Sequence, residues 1–280
     1  MTDLDVWNPQ FATLHPVFQQ LPAADAWLSY QQWPECEALQ RLLPVDLQAQ
    51  SGMPIQFVAQ DATLPFPALY YEERIFQHGM VATRPANWHD FFNALMWSQY
   101  PRTKVQINAQ HAADLQQYGK QRTPQRDALT LFDESGVVIV STRRAGLQPI
   151  LDFDWQTLFV EQRDAWGNDM ACFVIGHALL EKLLTPYVGV TAHALLVEVP
   201  PAFFSQDNQA QRVWLDHVIT DFLAAGKLLS PLHLNPVPVL GIPGWWANSD
   251  AAFYQQSSYF RAKSRERPGS ILGILDGLSG

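Results

Sequence analysis

Cysteine is scarce in this chain. Cys36 and Cys172 stand far apart and outside any C-x-x-C arrangement, which excludes a disulfide framework and a cysteine-built zinc site and fits a reducing compartment. An uninterrupted apolar run of the roughly 18 residues that a spanning helix needs is also missing, because His177, Glu181 and Lys182 punctuate the most hydrophobic segment. The opening residues MTDLDVWNPQ carry acids and an early proline but no apolar stretch, so no secretory signal is expected. No H-E-x-x-H, no H-x-H and no internal repeat occurs, and there is no motif for a nucleotide or metal cofactor. The formal net charge of -9 and pI near 5.3 argue against a general nucleic-acid partner and against an anionic membrane surface. These absences together predict a soluble, cytoplasmic protein with no membrane partner.

What is present is apolar substance. The 280 residues are 48% hydrophobic and 12% aromatic, ample for a substantial core. The pattern predicts an α+β fold: a single helix-rich domain over residues 1–269, a small mixed or antiparallel sheet, and a flexible tail over residues 270–280. After Ser230 the stretch PLHLNPVPVLGIPGWWANSD loses all helical period and reads as an extended Pro/Gly-rich strap.

Short helices are expected at Ala23–Trp33 and Glu35–Leu43, each closed by a proline, then a strand at Ile55–Ala59. A helix over Ala68–His78 ends at Gly79, whose freedom at positive φ suits a left-handed cap. Glu72 and Glu73 on it read as a solvated face answering the helix dipole. Further along, Ala128–Phe132 and Val137–Ser141 flank Asp133-Glu134-Ser135-Gly136 and read as a hairpin. Trp155–Val160 reads as a strand or a helical turn. A helix from Asn168 or Asp169 to Leu184, apolar all round, is expected to be buried. Val188–Val199 reads as a strand, and Asp207–Ala225 as an amphipathic helix stopped by Gly226.

The densest stretch is Asn87–Glu134. Asn87 is a good N-cap, with Asp90 at N3. On the helix that follows, Trp88, Phe91, Phe92, Leu95 and Met96 form an apolar arc, leaving His89, Asn93 and Trp97 on the other side. Pro101 breaks this helix, and a second runs from about Thr103 to Tyr118 with Gly119 as its stop. Lys104, Asn108 and His111 share its apolar face, where they must find partners or line a cavity.

The words ERIFQHGMVATRPANWHDFFNALMWSQYPRTKVQINAQH, RDALTLFDESG, VIGHALLEKLL and PVPVLGIPGWW, with a following FY and YFR, resemble the bacterial family catalogued as domain of unknown function 3025. The similarity runs from about Tyr70 to Arg261. It implies a soluble bacterial protein with one shared domain, and brings no catalytic residue with it.

Three chemistries can be weighed on the residues themselves. A helical hairpin would bring His89, Asn93, Lys104, Asn108 and His111 together. The histidines and asparagines are then catalytic candidates, with Lys104, Trp97 and Arg126 as substrate-binding residues. The structural alternative is a buried polar network. Between Arg84 and Asp127 six bases face three acids, a local excess that would attract an anionic small molecule. His177 and Glu181, one helical turn apart, form a second candidate pair, although a helix so apolar favours reading them as a neutralised core pair. A metal held by some of His89, His111, Asp127, His177 and Glu181 is a further option without a motif to support it, since the HD dipeptide at His89-Asp90 is frequent by chance.

The expectation is therefore a small-molecule enzyme of hydrolytic type with a His/Asn/Lys pocket for an anionic substrate. The alternative is a noncatalytic nucleic-acid- or protein-binding module using the Arg84–Arg126 bases, the run Arg261, Lys263, Arg265, Arg267, and Trp245 and Trp246 as stacking surfaces.

Overall fold

A computed structural model describes residues 6–21, 26–264 and 267–273. The chain folds as expected into an α+β, helix-rich body around one hydrophobic cluster, with a five-stranded mixed sheet and a separate two-stranded one. No helix among the described residues is long and apolar enough to cross a membrane.

The N-terminal segment contributes 3-10 turns at Phe11–Thr13, Pro16–Gln20 and Ala26–Ser29 and a short helix α1 at Cys36–Gln40. Part of the expected helix Ala23–Trp33 lies outside the described residues. Strands β1 (Gln56–Ala59) and β2 (Met80–Thr83) pair in parallel across helix α2 (Tyr71–His78). Gly79 ends α2 in the left-handed conformation at φ 69, as a residue without Cβ can do at no steric cost.

Helix α3 (Trp88–Gln99) starts at Asn87, whose side chain accepts from Asp90 N–H at 3.0 Å. Its aromatic arc buries into the N-terminal segment: Trp88 stacks on Trp7, Phe92 stacks on Phe18, and Phe91 meets Trp27 edge-on. Burying that face fixes the helix rotation and turns His89 and Asn93 the other way. Tyr100 closes α3 and opens α4 (Pro101–Tyr118), so the two are joined without a loop. Pro101 begins α4 at its first turn, where a missing N–H has no consequence.

Two expectations fail next, for related reasons. Residues 124–135 are not the first strand of a hairpin but helix α5 (Pro124–Ser135). Thr123 caps it by accepting from Arg126 N–H at 3.1 Å, Pro124 opens it, and its buried Ala128, Leu129, Phe132 and Ser135 fall at helical spacing. Asp133 and Glu134, expected in a turn, are thus in its last turn. Conversely, the helix expected from residue 168 or 169 to 184 divides into strand β4 (Met170–Val174) and helix α7 (His177–Leu183). A short run apolar on every side is also the signature of a strand buried on both faces, and Gly176 marks the break.

The main sheet is centred on β3 (Gly136–Ser141), wholly buried, antiparallel to β4 and parallel to β5 (Thr191–Glu198). Strand β6 (Asn235–Pro238) adds antiparallel to β5 from within the Pro/Gly-rich strap. Ile271–Leu272, expected in a flexible tail, form strand β7 parallel to β5, and the rest of that tail, 274–280, lies outside the described residues. Between β3 and β4 come helix α6 (Arg144–Asp152) and a single π-helical turn at Thr157–Glu161, and helix α8 (Asn208–Ala224) packs on α4.

One backbone contact brings distant parts of the chain together. The Gly136 carbonyl accepts from both Ile175 and Gly176 N–H, at 3.0 and 2.8 Å. A Cβ on Gly176 would lie 2.5 Å from the Gly136 nitrogen and from the Ser135 Cα and nitrogen. This approach sets the end of α5 against the start of α7, and so Glu134 beside His177. Gly176→Ala should destabilise the protein by about 1–3 kcal/mol, read as a lowered midpoint in urea with unchanged slope.

His193 in β5 hydrogen bonds with Ser135 Oγ at 2.9 Å. Burial, helped by Arg267 and Lys182, pushes its pKa down to about 4 from 6.5. Its folded pKa lies below the unfolded one, so its stability contribution is complete above pH 6.5 and is lost as the pH falls towards about 4. His193→Asn should remove on the order of 2 kcal/mol from the acid-side slope of stability against pH over that window, measured by denaturation at stepped pH.

Candidate functional site

Helices α2, α3, α4, α5 and α7 enclose a cavity of about 230 Å³ whose lining includes Tyr71, Glu72, Arg84, His89, Asp90, Asn93, His111, Asp133, Glu134 and His177. Its centre is a pair of histidines. His89 Nε2 faces His177 Nε2 at 3.0 Å, with the rings nearly perpendicular. Glu134 Oε1 stands 3.9 Å from the first nitrogen and 3.7 Å from the second.

Each imidazole has a carboxylate behind it. His89 Nδ1 bonds to Glu181 Oε2 at 3.1 Å. His177 Nδ1, buried and without a hydrogen-bond partner of normal geometry, faces Asp133 Oδ2 at 3.8 Å. His89, Glu134 and Glu181 are partly open to solvent, whereas His177 is only 4% exposed.

A second layer fixes the first. Lys104, 4% exposed, donates to Asp133 Oδ1 at 2.5 Å and to Asn93 Oδ1 at 2.9 Å, and its ammonium lies 5.5 Å from the centre of the Trp97 ring. Asn93 Nδ2 then donates to the Tyr71 hydroxyl at 2.8 Å. Asn108 donates to Glu72, at 2.9 Å to its carbonyl and 2.7 Å to its carboxylate. Arg84 grips Asp90 through Nε and Nη2, at 3.0 and 2.7 Å.

The electrostatics follow from these contacts. The hydrogen bond to Glu181 raises the His89 pKa above its ordinary value against the effect of burial. Burial pushes His177 down to about 3, although Asp133 opposes it. Burial raises Asp133, but the Lys104 ammonium together with His177 and His111 outweighs it and holds that carboxyl below the usual range. Burial raises Glu134, and it raises Tyr71 well above the ordinary phenol value.

The two candidate groups read from the sequence are therefore one site: His177 and Glu181 do not pair with each other but both hold His89. His111 and Asn93 line the cavity, while Lys104 and Asn108 sit behind it, bonded to residues that do. Lys104 is neutralised by Asp133, so it positions side chains instead of receiving an anion. Trp97 shares a side of α3 with Asn93 but is buried at 1% exposure beside the Lys104 ammonium and does not line the cavity. Arg126 pairs with Asp114 and donates to the Gly119 carbonyl at 3.0 Å, in an adjoining depression that shares His111 with the cavity. Asp127 faces away and pairs with Arg122.

Asp133, Glu134 and Tyr71 were missed. The signal for the first two was available in Thr123-Pro124, a capping residue followed by a first-turn proline, which would have placed them in a helix with Arg126 and Leu129. Glu72, expected on a solvated face, instead accepts from Asn108 and so joins α2 to α4.

The features read as a binding surface are mostly engaged. Arg84, Lys104, Arg122 and Arg126 all pair with carboxylates. Trp245 is buried, and Trp246 packs against the core. Arg267 donates to the Leu234 carbonyl at 3.1 Å, and Arg265 lies outside the described residues.

Fold and site thus define an α+β protein with a partly buried His–carboxylate cluster opening on a small polar cavity. A model of the family described as "Protein of unknown function (DUF3025)" matches residues 55–264, and the chain belongs to that family. No curated protein and no solved structure matches the chain. Every residue of the cluster falls within the matched span.

Lys104→Met leaves Asp133 buried beside a neutral side chain and should cost about 3–5 kcal/mol in urea unfolding. The double variant Lys104→Met, Asp133→Asn should recover a large part of that loss, because neither charge then remains buried without its partner.

Proposed function

We propose that this protein is a small-molecule enzyme of hydrolytic type, working in the cytoplasm, whose water is held and activated at the cluster of His89, His177 and Glu134. The observation that carries the reading is the convergence of two imidazole nitrogens and a carboxylate oxygen on one face of the cavity, each ring backed by a carboxylate. Hydrolysis needs a fixed position for the attacking oxygen, acceptors for its proton and donors for the oxygen that gains charge. The cluster supplies the first two. Tyr71 supplies a donor: its hydroxyl accepts from Asn93 and so has its own proton to give to a substrate oxygen.

The cavity volume suits a small substrate or the reacting end of a larger one. Arg84, with Nη1 outside its pairing to Asp90, is the lining cation that can meet an anionic group on the substrate. It replaces Lys104 in that role. The noncatalytic binding reading draws no comparable support, because its bases and tryptophans are engaged within the fold.

A panel of chromogenic phosphate, sulfate and carboxyl esters should contain at least one that the purified protein turns over. His89→Gln should lower that rate by about 100-fold or more, and Tyr71→Phe by a smaller factor. Rates across the panel no higher than those of His89→Gln would overturn the proposal.

A further inference from the structure

We propose that His89 Nε2, His177 Nε2 and Glu134 Oε1 are the protein ligands of a divalent transition-metal ion of the zinc class, with a remaining position open to the cavity. The inference deepens the hydrolytic reading by naming the cofactor of its water-activating cluster, and rests on that cluster being the site.

The first argument is distance. The three donor atoms lie 3.0, 3.7 and 3.9 Å apart. The circle through them has a radius of about 2.1 Å, the length of a zinc–nitrogen or zinc–carboxylate bond. One ion at its centre, or slightly above it towards the cavity, reaches all three with little side-chain movement.

The second argument is the demand of the atoms themselves. Two imidazole nitrogens facing each other at 3.0 Å are satisfied in one of two ways, by the N–H of one ring donating to the lone pair of the other or by a metal ion that takes both lone pairs. A proton satisfies the two rings and leaves Glu134 beyond hydrogen-bonding distance of both. A metal ion engages all three.

The outer partners support the same assignment. In metal sites the ligating histidine turns its other ring nitrogen to a carboxylate, carbonyl or water, which sets the tautomer and the ring orientation. His89 has that arrangement with Glu181; His177 Nδ1 faces Asp133 at 3.8 Å, beyond hydrogen-bonding distance, and Asp133 is itself pinned by Lys104. Glu181 and Asp133 are then positioning residues.

Charge points the same way: Arg84 pairs with Asp90 and Lys104 with Asp133, which leaves Glu72 and Glu134 on the cavity lining with no lysine or arginine ion pair among the described residues. A dication would offset that excess and give an anionic substrate something to bind. Two imidazoles with one carboxylate favour zinc and its neighbours over magnesium or calcium, which prefer oxygen alone. When bound, such an ion lowers the pKa of a coordinated water and polarises a substrate oxygen.

The test uses the full chain, stripped with chelator and dialysed. Zn²⁺ is titrated in by calorimetry, and Co²⁺ by the visible absorption of a four- or five-coordinate site. One equivalent should bind. His89→Gln and Glu134→Gln should each weaken binding by about 100-fold or more, and Glu181→Gln by about 10–100-fold. Glu134 is 41% exposed in its side chain, so its variant keeps the test valid should the histidine variant not fold, with circular dichroism as the check. Absence of saturable uptake by folded wild type, or uptake unchanged in Glu134→Gln, would overturn the metal. Stoichiometric uptake without hydrolysis anywhere in the ester panel would support the metal and tell against the enzyme. Hydrolysis that persists in chelator would do the reverse.

Discussion

The buried ammonium of Lys104 is the constraint on which the site depends. A lysine at 4% exposure cannot stay charged without partners, and it finds them on two other helices: Asp133 on α5 and Asn93 on α3, with the Trp97 ring beside it. These contacts fix the spacing of α3, α4 and α5. Asn93 passes the constraint to Tyr71 on α2, and Asp133 passes it to His177 on α7. A salt bridge of this kind contributes little net stability compared with a well-packed apolar substitute. Its consequence is orientation, since each polar group it touches has a single satisfied arrangement and those groups form the walls of the cavity.

Packing supplies what the ion pair cannot. The aromatic face of α3 against Trp7, Phe18 and Trp27 sets the rotation of His89. The close approach of Gly176 to Ser135 and Gly136 sets the separation of Glu134 from His177. The first depends on large rings and the second on the absence of a side chain. Two unrelated steric requirements thereby converge on the same few ångströms.

Much of the helical frame was legible because its signals are local. Asn87, Gly79 and Gly119 act as caps and stops where the sequence places them, and the apolar arc of α3 is the buried one. The errors lie at α5 and β4, where short apolar runs carry both periods at once and tertiary burial decides between them. Those two segments hold Asp133 and Glu134 and lead into His177, so the mistaken elements also hid the cluster. His89, Asn93, Lys104, Asn108 and His111 were recognisable because polar residues on an apolar helix face require an explanation. Which of them touches the cavity was not, because it depends on partners such as Asp133 and Glu72 that arrive from other helices.

The absence of a metal or catalytic motif in the sequence has the same origin. A motif forms when ligands share one element, as two histidines one turn apart on a helix do. Here His89 comes from α3, Glu134 from α5 and His177 from α7, with Glu181 one turn further along α7. Each helix contributes one group to the triangle, so no spacing within a helix can record the site. Its geometry is written in the contacts between helices, in the Gly136–Gly176 approach and the Lys104–Asp133 pair. Substitutions in those contacts would therefore displace the three donor atoms relative to one another while leaving every donor residue in place.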